Sequence, residues 1–342
     1  MYGRRLRLPA RARLRVGVAA VEAGEGRATG HGTTWTNVLS ALREQPGVRI
    51  VDRGRADVWL ASGHDAPASQ RPLVVQVHEV SWRDPQLLAF LDPGFAEAME
   101  QSTSAALSVA SHVIVPSEAA RRQTIAAYRV AEDRIHAVPH GVDHALFRPG
   151  LRGGRELVGG PYVLWVAVLH PRKNFAALRE AMAGLAQAGF PHRLAMVGNP
   201  PPDPRAAHFE HEATAAIPGH AGRLVHLRDV PSTQLSALMA GADVFCLPSF
   251  YEGFGLPALE AMACGAPLVV SDRGALPEVV GQAGLLSAPD GHSLLEALRS
   301  VLSDSGVRSR MRAASVARAA GFSWERTAEG WLEVLRRAAE EG

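Results

Sequence analysis

The chain has 342 residues, which is enough for two ordinary domains. Apolar residues make up 47% and the formal net charge is +2, which argues against extensive disorder and against a nucleic-acid partner. No apolar run approaches the roughly eighteen residues of a membrane span. Two cysteines cannot form a disulfide framework, so we expect a protein of the reducing cytoplasm.

The N-terminal segment is strongly basic. Its apolar continuation at 16–21 is too short for a signal peptide. We favour a solvated tail ahead of the first strand, and weak peripheral contact with the anionic inner face of a membrane is the alternative. The arginines in question are Arg4, Arg5, Arg7, Arg11, Arg13 and Arg15.

The first half alternates short apolar runs with helical periodicity, which predicts a parallel sheet with crossover helices. Gly30 and Gly32 are expected in a loop before the first helix, where glycine lets backbone approach a ligand closely. His78 follows a strand at its carboxyl end, where open α/β sheets bind ligands. The strands are expected at 15–21, 57–61, 73–77, 112–115 and 135–138, and the helices at 35–43, 95–109 and 119–128.

A segment rich in glycine at 148–160 predicts the interdomain linker. A buried strand at 162–169 follows, and then Arg172 and Lys173 open a helix at 175–188. Cations at a helix start oppose its dipole unless an anion compensates. The pair therefore predicts a diphosphate site, bound by a bidentate Arg and a point-charge Lys, with solvated surface charges as the alternative.

The remaining elements continue the alternation of strands and helices. A segment rich in proline at 199–205 is expected on the surface. A final amphipathic helix is expected from 323 onwards. Further strands are expected at 194–197, 224–227, 244–247 and 268–270, with a helix at 232–239.

The loop after the strand at 244–247 carries the most specific pattern. Glycines run through 251–255 and lead into a helix beginning at Leu256-Pro257, which is typical of an anion site at a helix N-terminus. Glu252 and Glu260 flank it. Eight residues along one helix would separate them by about 80°, so Glu252 must lie on the loop and Glu260 in the helix to meet one ligand. Carboxylates beside an anion site indicate a nucleoside diphosphate sugar, and solvated glutamates are the alternative.

The stretch PSFYEGFGLPALEAMACGAPLVVSDRGALPEVVG resembles the donor-binding signature of retaining glycosyltransferases of family GT4, which have the GT-B fold. Pro-Arg-Lys-Asn at 171–174 is similar to another motif of that family. Pro139–Asp143 resembles its hinge, with His140 where Asn is common. Two positions depart from the pattern: Thr33 replaces a frequent arginine, and Val166-Ala167 replaces Gly-Arg or Gly-Thr.

The resemblance implies an α/β protein of GT-B type, with two Rossmann-like domains facing a cleft. Residues 1–150 would form the acceptor side, 151–322 the nucleotide-sugar domain, and 323–342 a helix returning to the first domain. The catalytic residues it implies are His78, Arg172, Lys173 and Glu252. The donor-binding residues it implies are Gly30, Gly32, Arg172, Lys173, Glu252, Gly253, Phe254, Gly255, Leu256 and Glu260.

The implied activity is retaining transfer of a hexose from a nucleotide sugar to an acceptor hydroxyl. Mannose is one candidate hexose, and the acceptor could be a glycan, a lipid-linked sugar or a small molecule. The sequence has no Asp-x-Asp, so no metal and no other cofactor is expected. Two alternatives stay open: an accessory subunit that binds nucleotide sugar without turnover, and a sugar-nucleotide epimerase on the same fold.

Overall fold

The computed structural model describes residues 13–19, 30–51, 54–63, 66, 72–201, 203, 205–215, 217 and 222–342. The chain divides into two compact units. The first contains residues up to Gly141 together with Ser323–Gly342, and the second is Val142–Phe322. Residues 142–150 were expected in the first domain, but the structure places them in the second unit.

Twelve strands and thirteen α-helices occupy the described residues. The strands are β1 (Leu14–Val18), β2 (Val48–Val51), β3 (Val58–Ser62), β4 (Leu73–Gln76), β5 (His112–Val115), β6 (Ile135–Ala137), β7 (Tyr162–Val166), β8 (Arg193–Val197), β9 (Leu224–Leu227), β10 (Val244–Leu247), β11 (Leu268–Ser271) and β12 (Leu285–Ser287). The helices are α1 (Gly30–Glu44), α2 (Pro85–Leu88), α3 (Pro93–Val109), α4 (Glu118–Tyr128), α5 (Gly154–Val158), α6 (Phe175–Gln187), α7 (Ala206–Thr214), α8 (Ser232–Gly241), α9 (Leu256–Ala263), α10 (Leu276–Val280), α11 (Gly291–Ser303), α12 (Ser305–Ala319) and α13 (Trp324–Glu341).

The first unit is a parallel sheet in the order β2-β1-β3-β4-β5-β6, covered by helices. One face packs valines of β4 and β5 against α3 and α4. The final helix α13 contacts α1, β3 and β4. There the buried rings of Trp35 and Trp331 meet edge to face, with centroids 5.4 Å apart. Helix α13 is capped by Ser323, whose hydroxyl accepts a hydrogen bond from Arg326 N. Ser323 is also the residue at which the chain returns to the first unit.

The second unit is also a parallel sheet, in the order β12-β11-β10-β7-β8-β9. Its central strands are buried on both faces, as their continuous apolar sequences require. One face packs on α6 and α11 through residues such as Trp165, Phe175 and Leu298. Helix α9 contacts β10, β11, α8 and α12. Both units are therefore doubly wound, Rossmann-like sheets.

Three sequence expectations need correction. Residues 30–37 are helical instead of forming a loop. Trp35, Val38 and Leu42 lie on one buried face of the helix, and Thr34 is buried with them. The Thr34 hydroxyl donates to Gly30 O, one turn earlier. The expected linker at 148–160 contains the short helix α5. Strands β2 and β12 and helices α2, α7, α10, α11 and α12 were not predicted.

The basic N-terminal segment, except Arg13 and Arg15, and the glycines Gly24 and Gly26 lie outside the described residues. Arg15 is on β1 and pairs with Asp57, with 2.7 Å between Nη2 and Oδ1. This arginine therefore belongs to the fold of the first unit. Among the described helices, none combines the length and apolar character needed to cross a bilayer.

Candidate functional site

The candidate site lies where the strand order of the second unit reverses. Chain order runs outward from β7 through β8 to β9, then returns to β10 on the other side of β7. The carboxyl ends of two such strands form the crevice in which open α/β sheets bind ligands. The segment after β7 holds Arg172 and Lys173, and the segment after β10 holds Glu252. The topology thus brings together motifs that are about 80 residues apart in sequence.

Arg172 and Lys173 sit on a short 3₁₀ turn, Pro171–Lys173, between β7 and α6. The turn begins at His170, whose Nδ1 accepts a hydrogen bond from Arg172 N at 3.2 Å. Burial, reinforced by the charges of Arg172 and Lys173, lowers the pKa of His170 to about 4. The imidazole is therefore neutral at physiological pH and can cap the turn as an acceptor.

Asn174 ends this turn in the left-handed conformation, with φ of 56°. Its buried side-chain amide donates to Pro248 O at 3.0 Å and to Pro289 O at 2.8 Å. These carbonyls lie in the segments after β10 and β12. One asparagine therefore fixes three loops at the same edge of the sheet, and it holds the two cations next to the glutamate loop.

Lys173 and Glu252 form an ion pair that is largely shielded from solvent. The Lys173 Nζ lies 2.8 Å from both carboxylate oxygens, and the Ser249 hydroxyl donates to Glu252 Oε1 at 2.6 Å. Burial by itself would raise the pKa of Glu252, but the charges of Lys173 and Arg172 outweigh it and hold the pKa below its usual value. Glu252 is therefore ionised and held in one orientation.

Backbone contacts lock the glutamate loop from both sides. Arg172 Nη1 donates to Tyr251 O at 2.8 Å, and Phe250 N donates to Arg172 O at 3.0 Å. From the segment after β11, Ala275 N donates to Glu252 O at 2.9 Å. Gly274 passes so close that a Cβ there would lie 2.5 Å from Glu252 O, so only glycine allows this approach.

The loop ends at Gly255, which has φ of 95° and immediately precedes α9. A Cβ at this position would be strained and would also lie 2.7 Å from Leu276 Cδ2. Gly253 and Phe254 are buried within the loop, and Leu256 is the first residue of α9. The first N–H groups of a helix have no partner within it, so this end of α9 suits an anion.

Glu260 lies on α9, one turn beyond its start, as the spacing from Glu252 predicted. Its side chain is intermediate in exposure, yet burial raises its pKa to about 8. Among the described residues, no side chain forms an ion pair or hydrogen bond with this carboxyl group. The two glutamates therefore differ chemically: Glu252 is ionised and paired, whereas Glu260 is protonated at neutral pH.

Gly30, Gly32 and His78 belong to the first unit. The two glycines lie in the first turn of α1, and His78 is two residues beyond the end of β4. The His78 ring lies 4.6 Å from that of His31 and 5.5 Å from that of His140, measured between centroids. Within this unit His78 thus occupies the expected edge of the sheet, in a cluster of three imidazoles.

Several residues that build the site received no role from the sequence. Ser249 orients Glu252, Asn174 joins three loops, and Gly274 permits their close approach. Asn174 carried a usable signal, since it is a polar residue between a turn and a helix start and tolerates the left-handed conformation. Ser249 and Gly274 had none, because their roles depend on contacts between separate loops.

Two family models cover most of the chain. The model described as Glycosyltransferase Family 4 matches residues 10–146, and that described as Glycosyl transferases group 1 matches residues 160–304. No site residue of the second unit lies outside the latter range.

Curated relatives carry related names. The D-inositol 3-phosphate glycosyltransferase of Acidothermus cellulolyticus is 33% identical over 83% of this chain and 66% of its own length. That of Nocardioides sp. is 30% identical over 89% of this chain and 71% of its own. The O-antigen chain mannosyltransferase B of Escherichia coli is 32% identical over 66% of this chain and 61% of its own. The chain thus spans about two thirds of the length of these relatives.

Solved structures share the fold. Sucrose-phosphate synthase from Thermosynechococcus elongatus superposes with a TM-score of 0.78 at 20% identity, covering 96% of this chain and all of that one. Anabaena HepE in complex with UDP and glucose gives 0.72 at 17% identity, covering 94% and 99%. Together with the family models and the curated relatives, this places the chain in glycosyltransferase family 4, with two Rossmann-like units of the GT-B type.

Proposed function

We propose that the protein is a metal-independent, retaining hexosyltransferase that uses a nucleoside diphosphate sugar as donor. The observation that carries this proposal is the assembly of Arg172, Lys173 and Glu252 at the strand-order reversal of the second unit. It combines cations for a diphosphate with a fixed carboxylate for sugar hydroxyls. Its position is the one at which this class of sheet presents its ligand.

The leaving diphosphate would be stabilised by groups of the chain itself. The Lys173 ammonium donates to both oxygens of Glu252, and in the proposed complex it would also approach the phosphates as a point charge. Arg172 donates one guanidinium N–H to Tyr251 O, and the planar guanidinium has a geometry suited to bidentate binding of phosphate. The N–H groups at the start of α9 add the positive end of a helix dipole. Charge that grows on the leaving group is thus met by preorganised donors.

Retention would follow from attack on the same face of the sugar from which the diphosphate departs. The bond from the anomeric carbon to the phosphate oxygen breaks as the bond to the acceptor oxygen forms, and the departing phosphate takes the acceptor's proton. In this scheme the ionised Glu252 orients the hexose and supports the positive charge near the anomeric carbon. We retain His78 of the first unit as a proposed catalytic residue.

The nucleoside would be held through Glu260. Ribose hydroxyls are donors, and an ionised Glu260 would accept from them, which would give this carboxyl group a hydrogen-bonding partner. HepE binds UDP, UDP-glucose and glucose in its solved structures, and several curated relatives are named mannosyltransferases. UDP and GDP sugars are therefore the first donors to test, with a glycan, lipid-linked sugar or small molecule as acceptor. We place the reaction in the cytoplasm, on the basis of two buried cysteines with free thiols.

A donor screen tests the function directly. Purified protein is incubated with UDP-, GDP- and ADP-hexoses and candidate acceptors in the presence of EDTA, and release of nucleoside diphosphate is followed. We expect turnover with one nucleotide class, unchanged by EDTA. NMR of the product should show an α-glycoside from an α-linked donor.

Arg299→Ala serves as the matched control for Arg172→Ala, because Arg299 is an exposed cation on α11 of the same unit. We expect turnover to collapse in Arg172→Ala and to persist in Arg299→Ala. Activity that EDTA abolishes and Mn²⁺ restores would refute metal independence, and a β-linked product would refute retention. Isomerised donor without acceptor would instead identify an epimerase.

A further inference from the structure

His170 stands directly before the turn that carries the two cations of the second unit. Its backbone is extended, with φ of −128° and ψ of 137°, and the 3₁₀ turn Pro171–Lys173 begins after it. The Arg172 N–H donates to His170 Nδ1 at 3.2 Å, and the Lys173 N–H donates to His170 O at 2.8 Å. The side chain and the main chain of one residue therefore accept hydrogen bonds from both cationic residues.

The hydrogen bond from Arg172 fixes the tautomer of the imidazole. A neutral imidazole has one N–H and one acceptor nitrogen, so Nδ1 of His170 can accept only when Nε2 carries the proton. An imidazolium donates through both nitrogens and could not accept from Arg172 N. Burial, followed by the charges of Arg172 and Lys173, lowers the pKa of His170, which agrees with the neutral form. Arg205 acts on this pKa in the same direction, and Asp203 opposes it.

The imidazole is also packed against α7. Its ring meets the buried ring of Phe209 edge to face, with centroids 5.4 Å apart. A side chain that accepts from the N–H two residues later is usually Asp, Asn or Ser. His170 makes the same bond with a larger ring, which connects the cationic turn to α7 as well.

Charge distinguishes the side chains that could cap this turn. An aspartate in place of His170 would also accept from Arg172 N, but it would put a carboxylate beside the two cations. Glu252 already pairs with Lys173, so a second carboxylate would leave the group without net positive charge. A neutral imidazole orders the turn and leaves the charge of Arg172 uncancelled.

We propose that His170 is a positioning residue that orders the turn of Arg172 and Lys173 for a diphosphate without adding a negative charge to it. The proposal rests on the function proposed above, in which these two cations bind the leaving diphosphate. His170 acts through the backbone of Arg172 and not by contact with the ligand. Because the turn is ordered before the ligand arrives, less conformational entropy is lost on binding.

Three substitutions separate the acceptor, the ring and the charge of His170. His170→Asn keeps a neutral acceptor, and His170→Phe keeps an aromatic ring to pack on Phe209 but has no acceptor. His170→Asp keeps an acceptor and adds a negative charge. The matched controls are His211→Phe and His211→Asp, because His211 is an exposed histidine on α7 of the same unit.

Calorimetric titrations with UDP, GDP and ADP, each compared with its nucleoside, measure the effect on the full-length protein. For the diphosphate that binds, affinity should stay within about twofold in His170→Asn and in both controls, and fall about tenfold in His170→Phe and His170→Asp. Nucleoside affinity should be the same in all variants, which a general loss of structure would not produce. Wild-type diphosphate affinity in His170→Phe, or an equal loss in His170→Asn, would overturn the proposal.

The salt dependence distinguishes the two kinds of loss. Compared with the wild type at the same salt concentration, the loss in His170→Asp should shrink as salt is added, because screening weakens a charge effect. The loss in His170→Phe should not shrink, since it comes from a disordered turn. A loss in His170→Asp that is independent of salt would overturn the role assigned to charge.

Two further readouts need no ligand. In the wild-type protein, NMR of the ring nitrogens should show an unprotonated Nδ1 and a protonated Nε2 for His170 between pH of about 5.5 and about 8. A protonated Nδ1 in this range would overturn the proposal even if His170→Phe failed to fold. In His170→Phe the amide hydrogen of Arg172 should exchange faster than in the wild type, and unchanged exchange would also overturn it.

Failure of this inference and failure of the proposed function give different results. Diphosphate binding without any turnover would refute the hexosyltransferase and leave the role of His170 to the titrations above. A wild-type protein that binds none of the three diphosphates would overturn both.

Discussion

At the scale of single residues, the ion pair between Lys173 and Glu252 sets the charge that a ligand meets. Its charges cancel, and His170 is neutral, so Arg172 provides the net positive charge of this group. In the proposed complex, a ligand with two phosphate charges would therefore depend mainly on Arg172 and on backbone N–H groups. Glu252, proposed to orient the sugar, would thus also limit the affinity for the diphosphate.

Substitution of the paired residues should separate binding from turnover. In Glu252→Gln the negative charge beside the phosphate site disappears, so affinity for the free nucleoside diphosphate should stay the same or rise, while kcat collapses. In Lys173→Met a charge-assisted partner is lost, so that affinity should fall by roughly 1–3 kcal/mol. Calorimetric titration with the nucleoside diphosphate measures both. A large loss of affinity in Glu252→Gln would mean that Glu252 binds the nucleotide itself.

The raised pKa of Glu260 predicts a pH dependence of nucleotide binding. If ribose hydroxyls bind the ionised form, binding releases a proton below pH of about 8, so affinity should rise with pH and level off above it. The expected gain between pH 7 and pH 9 is about tenfold. Glu260→Gln should abolish this dependence, and Glu296→Gln, on the exposed face of α11, should retain it. A wild-type affinity that is constant over this range would contradict the assignment.

The raised pKa of Glu260 should also make the stability of the free protein depend on pH, in the opposite direction to nucleotide affinity. Because burial raises the folded-state pKa of Glu260 above its ordinary value of 4.5, the protonated form is favoured on folding. This contribution is fully present below pH of about 4.5 and is lost as pH rises through about 8. We therefore expect alkaline pH to improve nucleotide binding at Glu260 while it reduces the stability of the free protein.

At the scale of secondary structure elements, the site depends on how three loops are joined. Asn174 connects the segments after β7, β10 and β12 through two hydrogen bonds and adopts a left-handed backbone conformation. The cations and the glutamate loop are held in place by this residue, by Ser249 and by the close approach of Gly274.

Two substitutions at Asn174 distinguish its backbone role from its side-chain role. Asn174→Gly removes two buried hydrogen bonds, each with a net contribution of about 0.5–1.5 kcal/mol, but it keeps the left-handed conformation free of strain. Asn174→Ala loses the same bonds and adds roughly 1–2 kcal/mol of strain. Thermal unfolding should therefore rank the wild type above Asn174→Gly and Asn174→Ala lowest. Equal melting temperatures for the two variants would show that the backbone conformation contributes nothing.

The sequence predicted elements where one local signal dominated. Strands β5, β9 and β10 match their expected bounds, because each is a short, mostly apolar run between turn residues. Strands β5 and β10 are buried on both faces, whereas β9 is half-buried at the edge of its sheet. It missed α12, which has few buried residues and little apolar periodicity, and β12, whose first two residues are exposed at the edge of the sheet. It misread 30–37, because two glycines and three threonines resemble a loop although Trp35 anchors them in a helix.

The site residues were predictable where a local motif was specific, as the strands were where a local apolar run was clear. Arg172, Lys173, Glu252 and Glu260 stand in motifs whose residue types indicate their chemistry. No local pattern indicated that Lys173 would pair with Glu252, because the contact depends on the neighbouring positions of β7 and β10. The ligand roles of these residues remain predictions.

At the scale of the whole molecule, the chain contains two units that each have a hydrophobic core of their own. The site residues Arg172, Lys173, Glu252 and Glu260 all belong to the second unit, whereas α13 at the end of the chain belongs to the first. A ligand that binds these four residues should therefore stabilise the second unit and leave the first unchanged. Two matched core substitutions make this testable.

Leu335 on α13 and Leu178 on α6 are both fully buried, so each Leu→Ala change should cost about 2–5 kcal/mol in its own unit. A nucleoside diphosphate at 100 times its Kd should add about 2.7 kcal/mol to the unit that binds it. In denaturant unfolding, Leu178→Ala should lower the transition that the nucleotide raises, and Leu335→Ala should lower the transition that it does not affect. If both substitutions lower one shared transition equally, the two units unfold together, and nucleotide bound by the second stabilises the first as well.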